Sequence, residues 1–179
     1  MKITLIILVA VAMQIWPVRA ETISVAGLEQ RTQSFTIVLK GSVADVTPLF
    51  GPVREVEWAP SWAPRFIHPP EGAQRDGVVF TTKSGNGKER FWLLTTYDVK
   101  AGRVEYVFLA PGFTVNEVKI RVIPDGERQC KAIITYRHSA LAPDGNEEVA
   151  KLDRHWAEQQ RVHWEAAINS ALANGGAHE

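Results

Sequence analysis

Along most of this chain, hydrophobic and polar positions alternate in short runs separated by turn-forming residues. Gly85-Asn86-Gly87, Ala101-Gly102, Pro111-Gly112, Asp125-Gly126 and Pro143-Asp144-Gly145 supply the breaks, and such punctuation between β-rich runs marks consecutive antiparallel hairpins. Six runs between the breaks, Ser34 to Val43, Val78 to Lys83, Arg90 to Asp98, Arg103 to Ala110, Val115 to Ile123 and Lys131 to Ser139, are rich in β-branched and aromatic residues and predict strands. A seventh, shorter strand is expected near Phe66. Val118, Ile120 and Val122 share one parity and Glu117, Lys119 and Arg121 the other, so that strand has one buried and one solvated face. In Arg90 to Asp98 the parity is ambiguous, because Trp92 and Leu94 compete with Phe91, Leu93 and Tyr97; curvature or a bulge must decide.

The period changes near the C-terminus. From Glu147 to Ala173 nothing breaks a helix, Asn146 is a candidate N-cap, and Asn174-Gly175-Gly176 supplies a stop. The expected helix is about 27 residues, roughly 40 Å long. At about 100° per residue, Val149, Leu152, Trp156, Gln160, His163, Trp164, Ala167 and Ala171 collect on one side. Gln160 and His163 stand where a fully packed helix carries Leu or Ile, which points to a cavity between helix and sheet. After the first strand, a Pro-rich aromatic segment fits only two short helices, Val46 to Phe50 and Val53 to Trp58.

The first twenty residues stand apart. Lys2 precedes an apolar run from Leu5 to Met13, then Pro17 and Val18-Arg19-Ala20 with small residues at the recognition positions. This is the pattern of a secretory signal peptide cleaved after Ala20, and the run is shorter than the roughly 20 residues a membrane-spanning helix needs. The expected organisation is a signal peptide at 1–20 and a single domain at 21–179, periplasmic or secreted, with no stable membrane anchor after cleavage. The chain has 20 Lys plus Arg and 20 Asp plus Glu. Without Lys2 and Arg19 the basic total is 18, a net charge near −2 that calls for no nucleic-acid or anionic-membrane partner. Cys130 is the one cysteine of the chain, so the fold does not depend on an internal disulfide.

One strand, two short helices, a series of antiparallel strands and a long C-terminal helix make an α+β arrangement, a curved sheet of six to seven strands wrapped around that helix. Together with PLFGPVREVEWAPSW, RFIHP, GVVFTT, FWLLTTYD, RVEYVFLAPG, AIITYRHSALAPDGNE and HWEAAIN in this order, it resembles the START-like or helix-grip superfamily, also called SRPBCC or polyketide-cyclase-like proteins, as an exported member. The resemblance implies a deep, mostly apolar cavity that holds lipids, sterols, hormones or polyketides, and in some branches performs chemistry. One fold hosts many functions, so function is argued from the site.

Trp58, Trp62, Trp92, Trp156 and Trp164 lie beyond the signal peptide, with Tyr97, Tyr106 and Tyr136 on strands. Bulky rings with polar tips suit a pocket with a few polar anchors. Val104, Tyr106 and Phe108 share one face of their strand, and Ile134, Tyr136 and His138 one face of theirs. The residues expected to line a ligand pocket are Trp62, Tyr97, Tyr106, Tyr136, Trp156, Gln160, His163 and Trp164. His138, His155 and His163 do not have metal-ligand spacing, and no HExxH is present. Gly85-Asn86-Gly87-Lys88 lacks the spacing and following helix of a phosphate loop. Ser139 and Cys130 have no nucleophile motif around them. The expected function is an exported binding protein, without metal or cofactor, that encloses a small hydrophobic molecule, whether lipid, sterol-like or aromatic. Two alternatives stand beside it: an enzyme of the cyclase, dehydratase or hydrolase kind using Tyr and His of the same cavity as acid and base, and a protein-docking module through Trp58 to Pro70.

Overall fold

In the computed structural model, which describes residues 27–85 and 87–175, seven strands form one antiparallel sheet. They are β1 (Gln30–Leu39), β2 (Arg65–His68), β3 (Val79–Lys83), β4 (Glu89–Asp98), β5 (Arg103–Ala110), β6 (Thr114–Pro124) and β7 (Cys130–Ala140), in the order β1-β7-β6-β5-β4-β3-β2. Only β1 leaves sequence order, crossing to pair with β7. The expected signal peptide and its cleavage site lie outside the described residues.

β1 stops at Leu39, short of the expected Val43, because Ser42 caps a helix. Its hydroxyl accepts from Asp45 N while Asp45 Oδ2 accepts from Ser42 N, a reciprocal capping box that takes both residues out of the strand. The helix, α1 (Val43–Val46), runs on into a 3₁₀ turn, Thr47–Phe50, and a second 3₁₀ turn follows at Glu55–Glu57. The two expected short helices are thus present with shifted bounds.

The expected unbroken C-terminal helix is two helices, α2 (Gly145–Ala150) and α3 (Arg154–Gly175). Asp153 makes the break: its Oδ1 accepts from Trp156 N at 2.7 Å, an N-cap that starts a new helix. Asn146 does not cap. Its side chain accepts from Glu29 N at 2.9 Å and donates to Gly27 O at 2.8 Å, fastening the chain ahead of β1. Gly145 is required by close approach, since a Cβ there would collide with the carbonyl oxygen of Phe113.

At 22 residues, α3 is roughly 33 Å long and lies across the edge of the sheet. Edge strands present unpaired backbone groups, and on β1 these are taken up by the helix. Val38 N donates to Glu165 Oε2 at 2.9 Å, Lys40 N to Asn169 Oδ1 at 2.8 Å, and Asn169 Nδ2 to Val38 O at 2.9 Å. Ala157, Trp164 and Ile168 are the buried positions of α3 and belong to the same core cluster as Ile37, Leu39 and Ile134.

The parity of β4 resolves through a bulge. Trp92 pairs with Phe108 and Leu94 with Tyr106, the register shifts between Leu94 and Thr96, and Tyr97 then pairs with Val104. The extra residue transfers the inward face from even to odd positions, leaving Phe91 and Leu93 on the outer face at 39% and 40% exposure.

Candidate functional site

Four inward positions face one another across the middle of the sheet. Trp92 on β4 is opposite Phe108 on β5, Phe108 opposite Asn116 on β6, and Asn116 opposite His138 on β7. α3 and the Glu55–Glu57 turn do not pack down onto this row. They leave a cleft-like cavity of about 610 Å³, lined among others by Trp58, Trp62, Trp92, Tyr136, Trp156 and Trp164.

The rings hold one another in place. Trp92 stacks on Phe108 with centroids 4.2 Å apart, Trp58 meets Trp164 at 4.9 Å, and Tyr136 meets Trp156 edge-on at 5.1 Å. Three indole N–H groups are satisfied within the protein: Trp58 donates to Leu49 O at 2.7 Å, Trp62 to Pro52 O at 2.9 Å and Trp92 to Thr82 Oγ1 at 2.9 Å. Those bonds anchor the N–H edges and leave ring faces for the cavity.

The polar atoms of the wall are under-used. Asn116 Nδ2 donates to Thr114 Oγ1 at 2.9 Å, but Asn116 Oδ1 and His138 Nε2 are buried with no hydrogen-bond partner. A buried acceptor without a partner costs on the order of 1–3 kcal/mol. The titration of the wall follows its burial. Burial, helped by Arg90, lowers His138 to about 4, so the ring is neutral at pH 7. Burial raises Glu55 to about 8; protein atoms enclose its carboxyl, although part of the side chain is reachable from the cavity. The Tyr136 hydroxyl is pushed up by burial first and by Glu55 second.

Trp62, Tyr136, Trp156, Gln160, His163 and Trp164 all border the cavity, with His163 on its exposed side. Tyr97 and Tyr106 do not. Tyr106 is buried behind the wall, its hydroxyl donating to Phe50 O at 2.7 Å, because the turn after α1 covers that part of the concave face. Tyr97 lies past the bulge, where its hydroxyl accepts from Gln74 Nε2 at 2.7 Å. The lining residues that were not expected include Glu55, Arg90, Asn116 and His138. Asn116 carries a sequence signal, since it continues the inward parity of Val118, whereas Arg90 shares the parity of Trp92 in a strand whose sequence leaves that parity ambiguous. Glu55 carries none, because a 3₁₀ turn has no lasting period. In the Trp58 to Pro70 segment both tryptophans turn inward, and Ile67, at 44%, is its large apolar residue that remains exposed. The surface that a docking module requires is reduced accordingly.

No family model matches this chain, and no curated protein matches it. Solved structures do. Norcoclaurine synthase from Thalictrum flavum, in complex with dopamine and hydroxybenzaldehyde, is similar with a TM-score of 0.63 at 13% identity, over 98% of this chain and 98% of that one. A Thermobifida fusca protein solved by solution NMR is similar with a TM-score of 0.57 at 20% identity, over 75% and 90% of the two chains. An uncharacterised Bacillus thuringiensis protein has a TM-score of 0.58 at 15% identity, over 77% and 98%. The curved seven-stranded antiparallel sheet closed by a long C-terminal helix, shared with these structures, is a helix-grip fold.

Proposed function

We propose that this protein is exported and encloses a small, mainly apolar or aromatic molecule in the cavity between the sheet and α3. One observation carries the reading: an indole-walled void of about 610 Å³ that borders buried polar atoms with no partner in the protein. A solid core does not leave such groups unmet, whereas ligand sites combine an apolar wall with a few convergent polar groups. Trp62, Tyr136, Trp156 and Trp164 supply contact area, and Gln160 and His163 supply polar contacts toward the opening. A protein of the same fold in complex with two aromatic molecules, dopamine and hydroxybenzaldehyde, supports an aromatic occupant. Native mass spectrometry of the protein purified from its own host, followed by solvent extraction, is expected to show a one-to-one adduct that extraction removes.

A second reading, catalysis in the same cavity, is favoured by Glu55. A carboxylic acid held protonated near neutral pH, in one cavity with a neutral imidazole, is the kind of acid and base pair enzymes use. Export is supported by the pattern of residues 1–20. N-terminal sequencing of the protein recovered from outside the cytoplasm is expected to read Glu21 first; retention of Met1 would contradict cleavage.

A further inference from the structure

The charges around the cavity are unevenly distributed. Lys83, Lys88 and Arg90 line it, and Glu148 opposes them, while Glu55 is protonated below about pH 8. The wall is therefore cationic within a chain of near-zero net charge. Arg90 shares the inward parity of Trp92 on β4 and is half-buried. Its guanidinium lies over the Phe108 ring, 5.6 Å from the centroid, and makes no hydrogen bond or ion pair with any described residue. It is near enough to His138 to disfavour the imidazolium. A guanidinium has five donors in a planar fork suited to a carboxylate, and here that fork is held over an aromatic ring at the cavity wall.

We infer that the enclosed molecule is an aromatic or apolar body carrying one carboxylate, and that Arg90 holds that carboxylate at the cavity wall. The apolar end then lies among Trp58, Trp156 and Trp164. This rests on the cavity reading above and narrows it to a ligand class. An ammonium-bearing ligand would instead meet Arg90 and two lysines, and a wholly neutral one would leave the guanidinium without a counter-charge.

The test is calorimetric titration at pH 7 of the mature protein with three probes of one shape, 2-naphthylacetic acid, 2-naphthylacetamide and 2-naphthylethylamine. The acid is expected to bind roughly tenfold or more tightly than the amide, as charge-assisted hydrogen bonds imply, with the amine weakest. Arg90→Gln is expected to abolish the preference for the acid, and an unchanged thermal midpoint shows that the variant is folded. Equal binding of acid and amide, a preference for the amine, or an acid preference that survives Arg90→Gln overturns the inference alone. Failure of all three probes to bind the wild type contradicts the cavity reading itself.

Discussion

Glu55→Gln is expected to stabilise the protein at pH 8 and to change it little at pH 4. The carboxyl ionises near 4.5 when the chain is unfolded, and burial raises it to about 8 in the folded state. Between those values the folded protein retains a proton that the unfolded chain has released, so stability falls as pH rises, by about 1.4 kcal/mol per pH unit for one group. His138 works in the opposite direction. Lowered from 6.5 to about 4, it leaves the folded state unprotonated where the unfolded chain is protonated, so its contribution is present above pH 6.5 and lost as pH falls toward 4. From 4.5 to 6.5 the two slopes offset one another. Only Glu55 acts from 6.5 to 8, where the wild type should lose about 2 kcal/mol, less the screening from solvent in the cavity. In Glu55→Gln that decline disappears and the His138 slope below pH 6.5 is left uncompensated. Urea unfolding of both proteins at pH 4, 5.5, 6.5 and 8 reads this directly. Parallel curves for the two proteins would show that the carboxyl is solvated and does not face a dry wall.

Much of the fold was legible because strands leave a strict period. The alternation of Val118, Ile120 and Val122 with Glu117, Lys119 and Arg121 matches the burial of β6 residue for residue. The errors have local causes. Asp153 lies within a stretch compatible with a helix throughout, and its capping bond to Trp156 N exists only once α2 has turned away. The bulge after Leu94 reverses parity without any Gly to announce it.

The site was harder to read than the fold. Alternation tells which face of a strand a residue occupies, not what covers that face. Tyr106 and Tyr136 are both inward, but the turn after α1 closes over the first, whereas the second meets Trp156 and Trp164 of α3 at the cavity wall. The anomalies on α3 were readable, since Gln160 in an otherwise core-facing stripe does mark the cavity. Asn116 was equally readable as the polar residue in an inward series of β6. Arg90 was hidden by the ambiguity of its own strand.

The second large effect concerns the void. Ala59 and Gln160 approach it from the turn segment and from α3, and neither is fully buried. Replacing both by tryptophan puts two indoles into existing space and not into packed core, so folding should survive the change. Ligand contact area is then lost in the middle of the cavity, and binding should weaken on the order of a hundredfold, about 2.7 kcal/mol.

The most direct measurement is therefore the emission of a neutral apolar probe, N-phenyl-1-naphthylamine, titrated into the wild type and into the Ala59→Trp, Gln160→Trp double variant, with the thermal midpoint of each recorded. A cavity that encloses small apolar molecules gives saturable one-to-one binding in the wild type and its loss in the double variant at an unchanged midpoint. Equal binding by the two proteins, or no saturable binding by the wild type, contradicts it.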